Sequence, residues 1–210
     1  ERSKSDIADD IHVSDCVNEV RRLRKILREE ILQYRISLYK NKDILHEAIE
    51  RRNLADVELF CKNHLVDING YACRYGEEDF SEVTPLYQAA SLGLAEFVDI
   101  LCKFNADISV GRLTDKSSAL FGAATNGHLY VVKLLILRYD ADVNLANDHG
   151  LTPLLAAVGN NHWQVASFLI DHGSSMYTCG KNDETCIFVA SHRNAIESLM
   201  EITRRIAIST

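Results

Sequence analysis

A seven-residue phrase returns along the chain at a nearly constant interval, and this repetition restricts the fold more than any other feature. The phrase opens at Thr84, Ser118 and Thr152, and a weaker copy opens at Thr185. The sixth residue of every copy is alanine, and successive alanines are about 34, 34 and 33 residues apart. This period predicts stacked units whose inward faces cover one another. Such a chain presents a long surface rather than one enclosed pocket.

The residues around the phrase repeat as well. The only two prolines, Pro85 and Pro153, follow Thr84 and Thr152, as expected for a capped first helical turn. The sequence Ala-Asp-Val-Asn closes one unit at 141–144. Nine residues after each opening Thr or Ser stands a residue that tolerates a left-handed backbone: Gly93, Gly127, Asn161 and Asn194. Together these features resemble the ankyrin repeat, in which a Thr-Pro-Leu-His start opens a helix pair with a β-turn finger.

The resemblance implies an all-α fold, an ankyrin-repeat solenoid of about five helix-turn-helix repeats with β-turn fingers. An earlier and weaker unit around His46 has Arg52 where glycine is expected, although Asn53 beside it could take the turn. The array is therefore expected over 43–210. Its repeats are placed at about 43–82, 83–116, 117–150, 151–183 and 184–210.

Two further segments are expected before the array. Residues 1–15 are polar without apolar periodicity, and they are interpreted as a leader of low order. Residues 16–42 are expected to form an amphipathic helix, because apolar residues recur at steps of three and four: Val17, Val20, Leu23, Leu27, Ile31, Tyr34 and Leu38. This helix either caps the open end of the solenoid or acts as a partner helix that dimerises, lies on an acidic membrane or docks in a groove.

Charge and cysteine content limit the class of partner. Residues 43–210 hold 13 Lys and Arg against 22 Asp and Glu, a balance of −9. That charge repels nucleic acid and favours a protein or peptide with a basic patch. No apolar run reaches the roughly 20 residues that span a membrane. The six cysteines show no C-x-x-C pair, so a reducing intracellular compartment, the cytoplasm, is expected.

The sequence contains no recognisable catalytic or cofactor motif. It lacks a Gly-x-Ser-x-Gly elbow and a glycine-rich phosphate loop. His46, His128 and His162 stand at positions where ankyrin repeats use histidine structurally. We therefore expect no enzyme activity, no cofactor and no metal site.

The family pattern places partner contacts at the fingertips and at the ends of the first helices. The positions are Phe80, Ser81, Val83, Ser91 and Leu92; Thr114, Asp115, Ser117, Thr125 and Asn126; Asp148, His149, Leu151, Gly159 and Asn160; and Lys181, Asn182, Glu184, His192 and Arg193. The aromatic rings of Tyr71 and Tyr75 on the longest finger are interface anchors, or else they pack on the neighbouring finger. Phe80, Val83 and Leu151 are the first candidates because they are apolar where a fingertip should be solvated.

Three functions fit this pattern. The first is a non-enzymatic module that binds a partner through the concave surface of fingers and first helices. The second is the recognition arm of a larger protein, such as a ubiquitin-ligase substrate receptor or a secreted microbial effector. The third is a scaffold that self-associates as a homodimer through the N-terminal helix.

Overall fold

The computed structural model describes residues 4–37, 44–64, 66–73 and 82–176, together with Met200 and Arg204. Within these residues the regular secondary structure is helical apart from one short hairpin and one isolated bridge, and loops join the elements. The chain divides into two compact units, Glu1–Ile44 and Leu45–Thr210. Most of the predicted fifth repeat, including Asn194, lies outside the described residues.

The first unit contains one helix, α1, which runs over Lys4–Ser37. It begins at Lys4 and not near residue 16, so the segment predicted as a low-order leader is helical from that residue onward. The composition favours this longer helix, because no glycine or proline interrupts the 34 residues.

The second unit contains four consecutive helix pairs among the described residues, which confirms the predicted repeat fold. The first helix of each pair has seven residues and the second has nine to eleven. The pairs are α2 (Ile44–Glu50) with α3 (Leu54–Lys62), α4 (Pro85–Ser91) with α5 (Ala95–Lys103), α6 (Ala119–Thr125) with α7 (Leu129–Tyr139), and α8 (Pro153–Gly159) with α9 (Trp163–Asp171).

The repeated phrase starts a helix in the way its sequence predicts. The side-chain oxygens of Thr84, Ser118 and Thr152 accept hydrogen bonds from the backbone amide three residues later, at 3.3, 3.2 and 3.3 Å. Each bond satisfies an amide that has no partner within the helix. Pro85 and Pro153 occupy the first turn, where a missing N–H removes no helical bond.

A left-handed residue separates the two helices of each pair. Gly93 and Gly127 have φ of +74°, and Asn161 has φ of +62°. In the first pair this residue is Arg52, with φ of +55°, and not Asn53. Asn53 has a different role: its Oδ1 accepts the backbone N–H of Asp56 at 3.2 Å and so caps α3.

The core lies between successive repeats, and from α4 onward the first helices pack against each other more closely than the second helices do. Small side chains explain this difference: Ala89, Ala123 and Ala157 are fully buried. At Gly122 a Cβ atom would lie 3.0 Å from the ring of Tyr87 one repeat earlier. The absence of a side chain at Gly122 therefore lets that ring pack between α4 and α6.

The hairpin forms the first finger. Strands β1 (Ala72–Cys73) and β2 (Glu82–Val83) pair antiparallel, with Ala72 opposite Val83 and Cys73 opposite Glu82. The loop that joins the two strands lies outside the described residues.

Asparagine side chains join neighbouring repeats after the second helices. Asn69 Oδ1 accepts the backbone N–H of Asp107 at 2.9 Å, and Asn144 Oδ1 accepts that of Ser175 at 3.0 Å. The equivalent position in the repeat between them is Ser109, whose side chain donates instead to Asp107, two residues earlier. This junction therefore lacks the asparagine bond that its two neighbours have.

Candidate functional site

Hydrogen bonds between adjacent fingers fix the fingertips to one another. The amide of Leu113 donates to the carbonyl of Glu82 at 2.8 Å, and the amide of Asp148 donates to the carbonyl of Asp115 at 2.7 Å. Val83 and Arg112 form an isolated antiparallel bridge. Backbone bonds of this kind hold the tips in one arrangement, which lowers the ordering cost when a partner binds.

Side chains strengthen the junction between the fingers of the second and third described pairs. Ser117 Oγ donates to Asp115 Oδ2 at 2.7 Å, and Asn147 Nδ2 donates to Ser117 Oγ at 3.2 Å. Lys116 Nζ lies 3.5 Å from Asp148 Oδ1. The structure thus brings three of the predicted contact residues, Asp115, Ser117 and Asp148, into one cluster.

Two of the predicted contact residues are buried, which contradicts their assignment. Val83 lies in β2, where its carbonyl also accepts a hydrogen bond from His46 Nε2 at 2.9 Å. Ser117 is enclosed between the fingers and bonded to Asp115 and Asn147. Both positions stabilise the stacking of the fingers, so neither side chain reaches a partner.

The other described candidates are accessible to different extents. Ser91, Asp115, Thr125, Leu151 and Gly159 are half-buried, so Leu151 is less exposed than a solvated fingertip residue would be. The exposed candidates are Tyr71, Leu92, Thr114, Asn126, Asp148, His149 and Asn160. Tyr75, Phe80, Ser81, Lys181, Glu184 and Arg193, with Asn182 and His192, lie outside the described residues.

Some of the candidates at the helix ends also have a structural role. Asn126 Nδ2 donates to the carbonyl of Gly122 at 3.0 Å, and Asn160 Nδ2 donates to that of Ala156 at 2.9 Å. The same carbonyls also accept the backbone N–H of Asn126 and Asn160, so each side chain adds a second hydrogen bond at the end of a first helix. Thr125 Oγ1 likewise donates to the carbonyl of Phe121 at 2.8 Å.

Three exposed apolar residues of the four described helix pairs and their fingers were not predicted. Leu113 on the second finger is 47% exposed, and Tyr130 and Leu137 on α7 are 73% and 65% exposed. Leu113 lies one position before the fingertip residues given by the family pattern, so a search restricted to that pattern passes over it. Tyr130 and Leu137 belong to a second helix, where the pattern assigns apolar residues to the core.

A groove of about 540 Å³ lies between α5 and α7. Phe97, Tyr130 and Leu134 provide apolar walls, and Asp99 and Arg138 provide charge. Asp99 is the centre of an ionic cluster that joins the two helices. Its carboxylate lies 2.6 Å from Lys103 Nζ and 2.6 Å from Arg138 Nη1, and it accepts the Tyr139 hydroxyl at 2.6 Å.

The cluster shifts the pKa of two of its members. Burial acts to raise the pKa of Asp99, but hydrogen bonds from Lys103 and Tyr139 and the charges of Arg138 and Lys103 lower it below its ordinary value. Burial, followed by the hydrogen bond to Asp99 and its charge, raises the pKa of Tyr139 to about 12. Every member has a structural partner, so the cluster stabilises the helix packing and does not leave a free acid or base.

The described acidic residues are unevenly distributed over the repeats. At the fingertips Arg112 and Lys116 offset Asp115 and Asp148. Four exposed carboxylates lie in the loops that follow the second helices, and further ones lie on the helices themselves; the four are Asp67, Asp107, Asp140 and Asp142. The balance at the described fingertips is therefore close to neutral, although the sequence of the array is acidic.

The described residues contain no group of three or more His, Cys, Asp or Glu side chains arranged to hold a metal ion. His128 and His162 instead lie against the preceding repeat, 3.0 Å from the carbonyl oxygens of Ser91 and Thr125. Burial raises the pKa of the Cys61 thiol to about 11, and burial together with the charge of Asp99 raises that of Cys102 to about 12. Thiols with such values are poor nucleophiles.

None of the helices in the described segments combines the length and the apolar character that crossing a bilayer requires.

Known proteins with similar sequences cover most of the array. Human Rabankyrin-5 is 28% identical over 164 residues, which cover 75% of this chain and 14% of that protein. The human transient receptor potential cation channel subfamily A member 1 is 33% identical over 118 residues, which cover 55% of this chain and 10% of the channel. A probable E3 ubiquitin-protein ligase XBOS32 of Oryza sativa subsp. japonica is 30% identical over 133 residues, which cover 50% of this chain and 27% of the ligase.

The chain therefore spans only a small part of each of these relatives. The sequence profile described as "Ankyrin repeats (3 copies)" matches residues 45–147 and again residues 120–208. The matched regions contain the four described helix pairs, their left-handed turns and the stacked fingers. The chain belongs to the ankyrin-repeat family.

Proposed function

We propose that this chain is a binding module that recognises another protein through its fingertips and the ends of its first helices. Ankyrin repeats are generally protein–protein interaction modules, and the family is generally non-catalytic. The observation that carries the proposal is the combination of exposed side chains with a hydrogen-bonded frame. Leu92, Leu113 and His149 are exposed, whereas the backbone at the tips is held by bonds between fingers.

The partner is a folded protein or peptide with an apolar contact surface and basic residues around it. Leu92 and Leu113 supply apolar area for the centre of the contact. The described fingertips are nearly neutral, so charge contributes little at that point. The acidic balance of residues 43–210 acts over a longer range and attracts a basic partner during its approach.

Matched surface variants test this assignment. Leu92→Asp with Leu113→Asp places charge on the proposed surface, and Leu137→Asp places charge on the outer face of α7. Each variant and the wild type would be immobilised and exposed to cell lysate, and the captured proteins would be quantified by mass spectrometry. Circular dichroism and thermal melts would show that all three proteins are folded.

We expect a discrete set of partners to be lost with Leu92→Asp/Leu113→Asp and retained with Leu137→Asp. Equal capture by all three proteins would contradict the assignment. Loss of partners with Leu137→Asp alone would instead place the binding surface on the outer face of α7.

A second candidate is the recognition arm of a larger protein. It is supported by the small share of each relative that the chain spans, 14% of Rabankyrin-5 and 27% of the rice ligase. The name of that rice relative describes a probable E3 ubiquitin-protein ligase, and in a protein of that kind we propose that this chain would select the substrate. The open reading frame on both sides of this segment tests the idea, because the absence of an adjoining catalytic or adaptor domain would refute it.

We also infer that the chain works in a reducing compartment, the cytoplasm. Cys61 and Cys102 are free thiols, and both are buried within the repeats. Imaging of the tagged protein tests this inference, and secretion of the protein would overturn it.

A further inference from the structure

Helix α1 carries an exposed apolar stripe. Leu23, Leu27 and Tyr34 are 55%, 56% and 66% exposed, and Val17, Val20, Ile26 and Ile31 are also exposed. Several apolar side chains in a row on a 34-residue helix cost free energy in water, and a surface of this kind marks a site of association.

The spacing of the stripe fits a second helix better than a flat surface. Val20, Leu27 and Tyr34 follow one another at intervals of seven residues. A second series has the same interval, and each of its members precedes a member of the first series by three residues: Val17, Arg24 and Ile31. These two series are the a and d positions of a heptad pattern, which pairs helices side by side. Arg24 is the one charged residue among the six positions.

Charge is segregated along α1. Residues 4–19 contain one basic residue (Lys4) and five acidic residues, which gives −4. Residues 20–37 contain six basic residues and two acidic residues (Glu29 and Glu30), which gives +4. The helix therefore has an acidic first half and a basic second half.

This segregation selects both the occupant of the stripe and its direction. Two parallel copies in register would place acidic half against acidic half, with Arg24 facing Arg24 at the helix interface. Two antiparallel copies that bring residues 17–27 of one against residues 27–17 of the other would bury the first part of the stripe and place each acidic half against the basic half of the other copy. An anionic membrane surface would attract one half of the helix and repel the other. We propose that α1 pairs antiparallel with α1 of a second copy of this chain.

Sedimentation velocity over a concentration series tests the pairing. The wild type is expected to change from monomer to dimer as its concentration rises. Leu23→Gln/Leu27→Gln removes apolar area without changing charge and should raise the dimer Kd by at least about tenfold. Leu137→Gln makes one substitution of the same type on α7 and should leave the Kd unchanged. A monomer at all concentrations, or a dimer weakened only by Leu137→Gln, would overturn the proposal.

A series of salt concentrations and a charge-removing variant test the direction of pairing. In an antiparallel dimer opposite charges face each other, so raising NaCl from about 50 mM to about 500 mM should raise the Kd by about threefold or more. Arg21→Gln/Arg28→Gln should also weaken the dimer. In a parallel dimer the same two changes would relieve repulsion, so a dimer that tightens in salt and in this variant would refute the antiparallel arrangement. Circular dichroism would confirm that each variant keeps its helix content.

Discussion

The imidazole of His128 donates through Nε2 to the carbonyl oxygen of Ser91, one repeat earlier, at 3.0 Å. The ring reaches that carbonyl across Gly93, where a Cβ atom would lie 2.6 Å from His128 Nδ1. His162, Thr125 and Gly127 repeat the arrangement at the next junction. Glycine is thus needed at these turns for two reasons, its left-handed backbone and the space it leaves for the histidine.

Substitution of Gly93 separates these two reasons. Gly93→Ala should lower the free energy of unfolding by about 3 kcal/mol, because it adds left-handed strain and displaces the His128 ring. Gly173→Ala is the control, since Gly173 has φ of +90° but nothing within 4 Å of an added Cβ; it should cost only about 1 kcal/mol. Urea unfolding measures the free energy of unfolding of both variants. Equal losses would show that contact with His128 carries no weight.

Ser109 offers a stabilising change. Ser109→Asn should supply the missing asparagine bond, with its Oδ1 accepting the backbone N–H of Asp142, and raise the free energy of unfolding by about 0.5–1 kcal/mol. The reciprocal change, Asn144→Ser, should lower it by about 1 kcal/mol because it removes the bonds to Ser175 and Gly173. Thermal and urea unfolding measure the pair. A Ser109→Asn variant no more stable than the wild type would contradict the proposed equivalence of these positions.

Asp99 should make the array sensitive to acid. Its pKa is lowered in the folded chain, so its contribution is complete above the ordinary value of about 3.9 and is lost as pH falls through the folded value. Asp99→Asn should cost about 1–2 kcal/mol at neutral pH. The difference from the wild type should shrink below about pH 4.

Urea unfolding at a series of pH values measures this dependence. Glu58→Gln, which removes an exposed carboxylate on α3, is the control and should change stability little. A constant difference between Asp99→Asn and the wild type down to about pH 2 would contradict the predicted linkage.

Cys61 and Cys102 should resist alkylation in the folded chain. Both thiols are buried, with pKa values of about 11 and about 12, so at pH 8 almost no thiolate forms and reagents do not reach it. Peptide mass spectrometry after iodoacetamide treatment should find both cysteines modified only when urea is present. Modification in native buffer at the rate of a small free thiol would refute this expectation.

The helix pairs could be predicted because the residues that begin and end each helix lie within the repeat itself. Thr84 and Pro85 begin α4, and Gly93 ends its turn, through local chemistry that one stretch of sequence contains. Arg52 was harder to assign, because its left-handed turn follows from the role of Asn53 as the cap of α3, and two adjacent residues compete for these roles. Burial was least predictable: Val83 and Ser117 occupy fingertip positions by spacing, but contacts with neighbouring fingers decide whether they are exposed.

The exposure of apolar residues on the second helices was hard to predict for the same reason, because contacts between repeats decide it. Tyr130 and Leu137 belong to an apolar second helix, and periodicity alone does not tell which of its members face solvent. Their positions depend on how α5 lies beside α7, which is a property of the stacked repeats.

The bonds between fingers restrict how a ligand is recognised. The amides of Leu113 and Asp148 already donate to the neighbouring fingers, so an extended peptide has no free donor at these two positions with which to add itself as a further strand. Recognition at this edge must therefore depend on contacts with side chains. Substitutions such as those at Thr114 or His149 would change which ligand is chosen while the backbone beneath them stays the same, so specificity at the tips is free to evolve separately from stability.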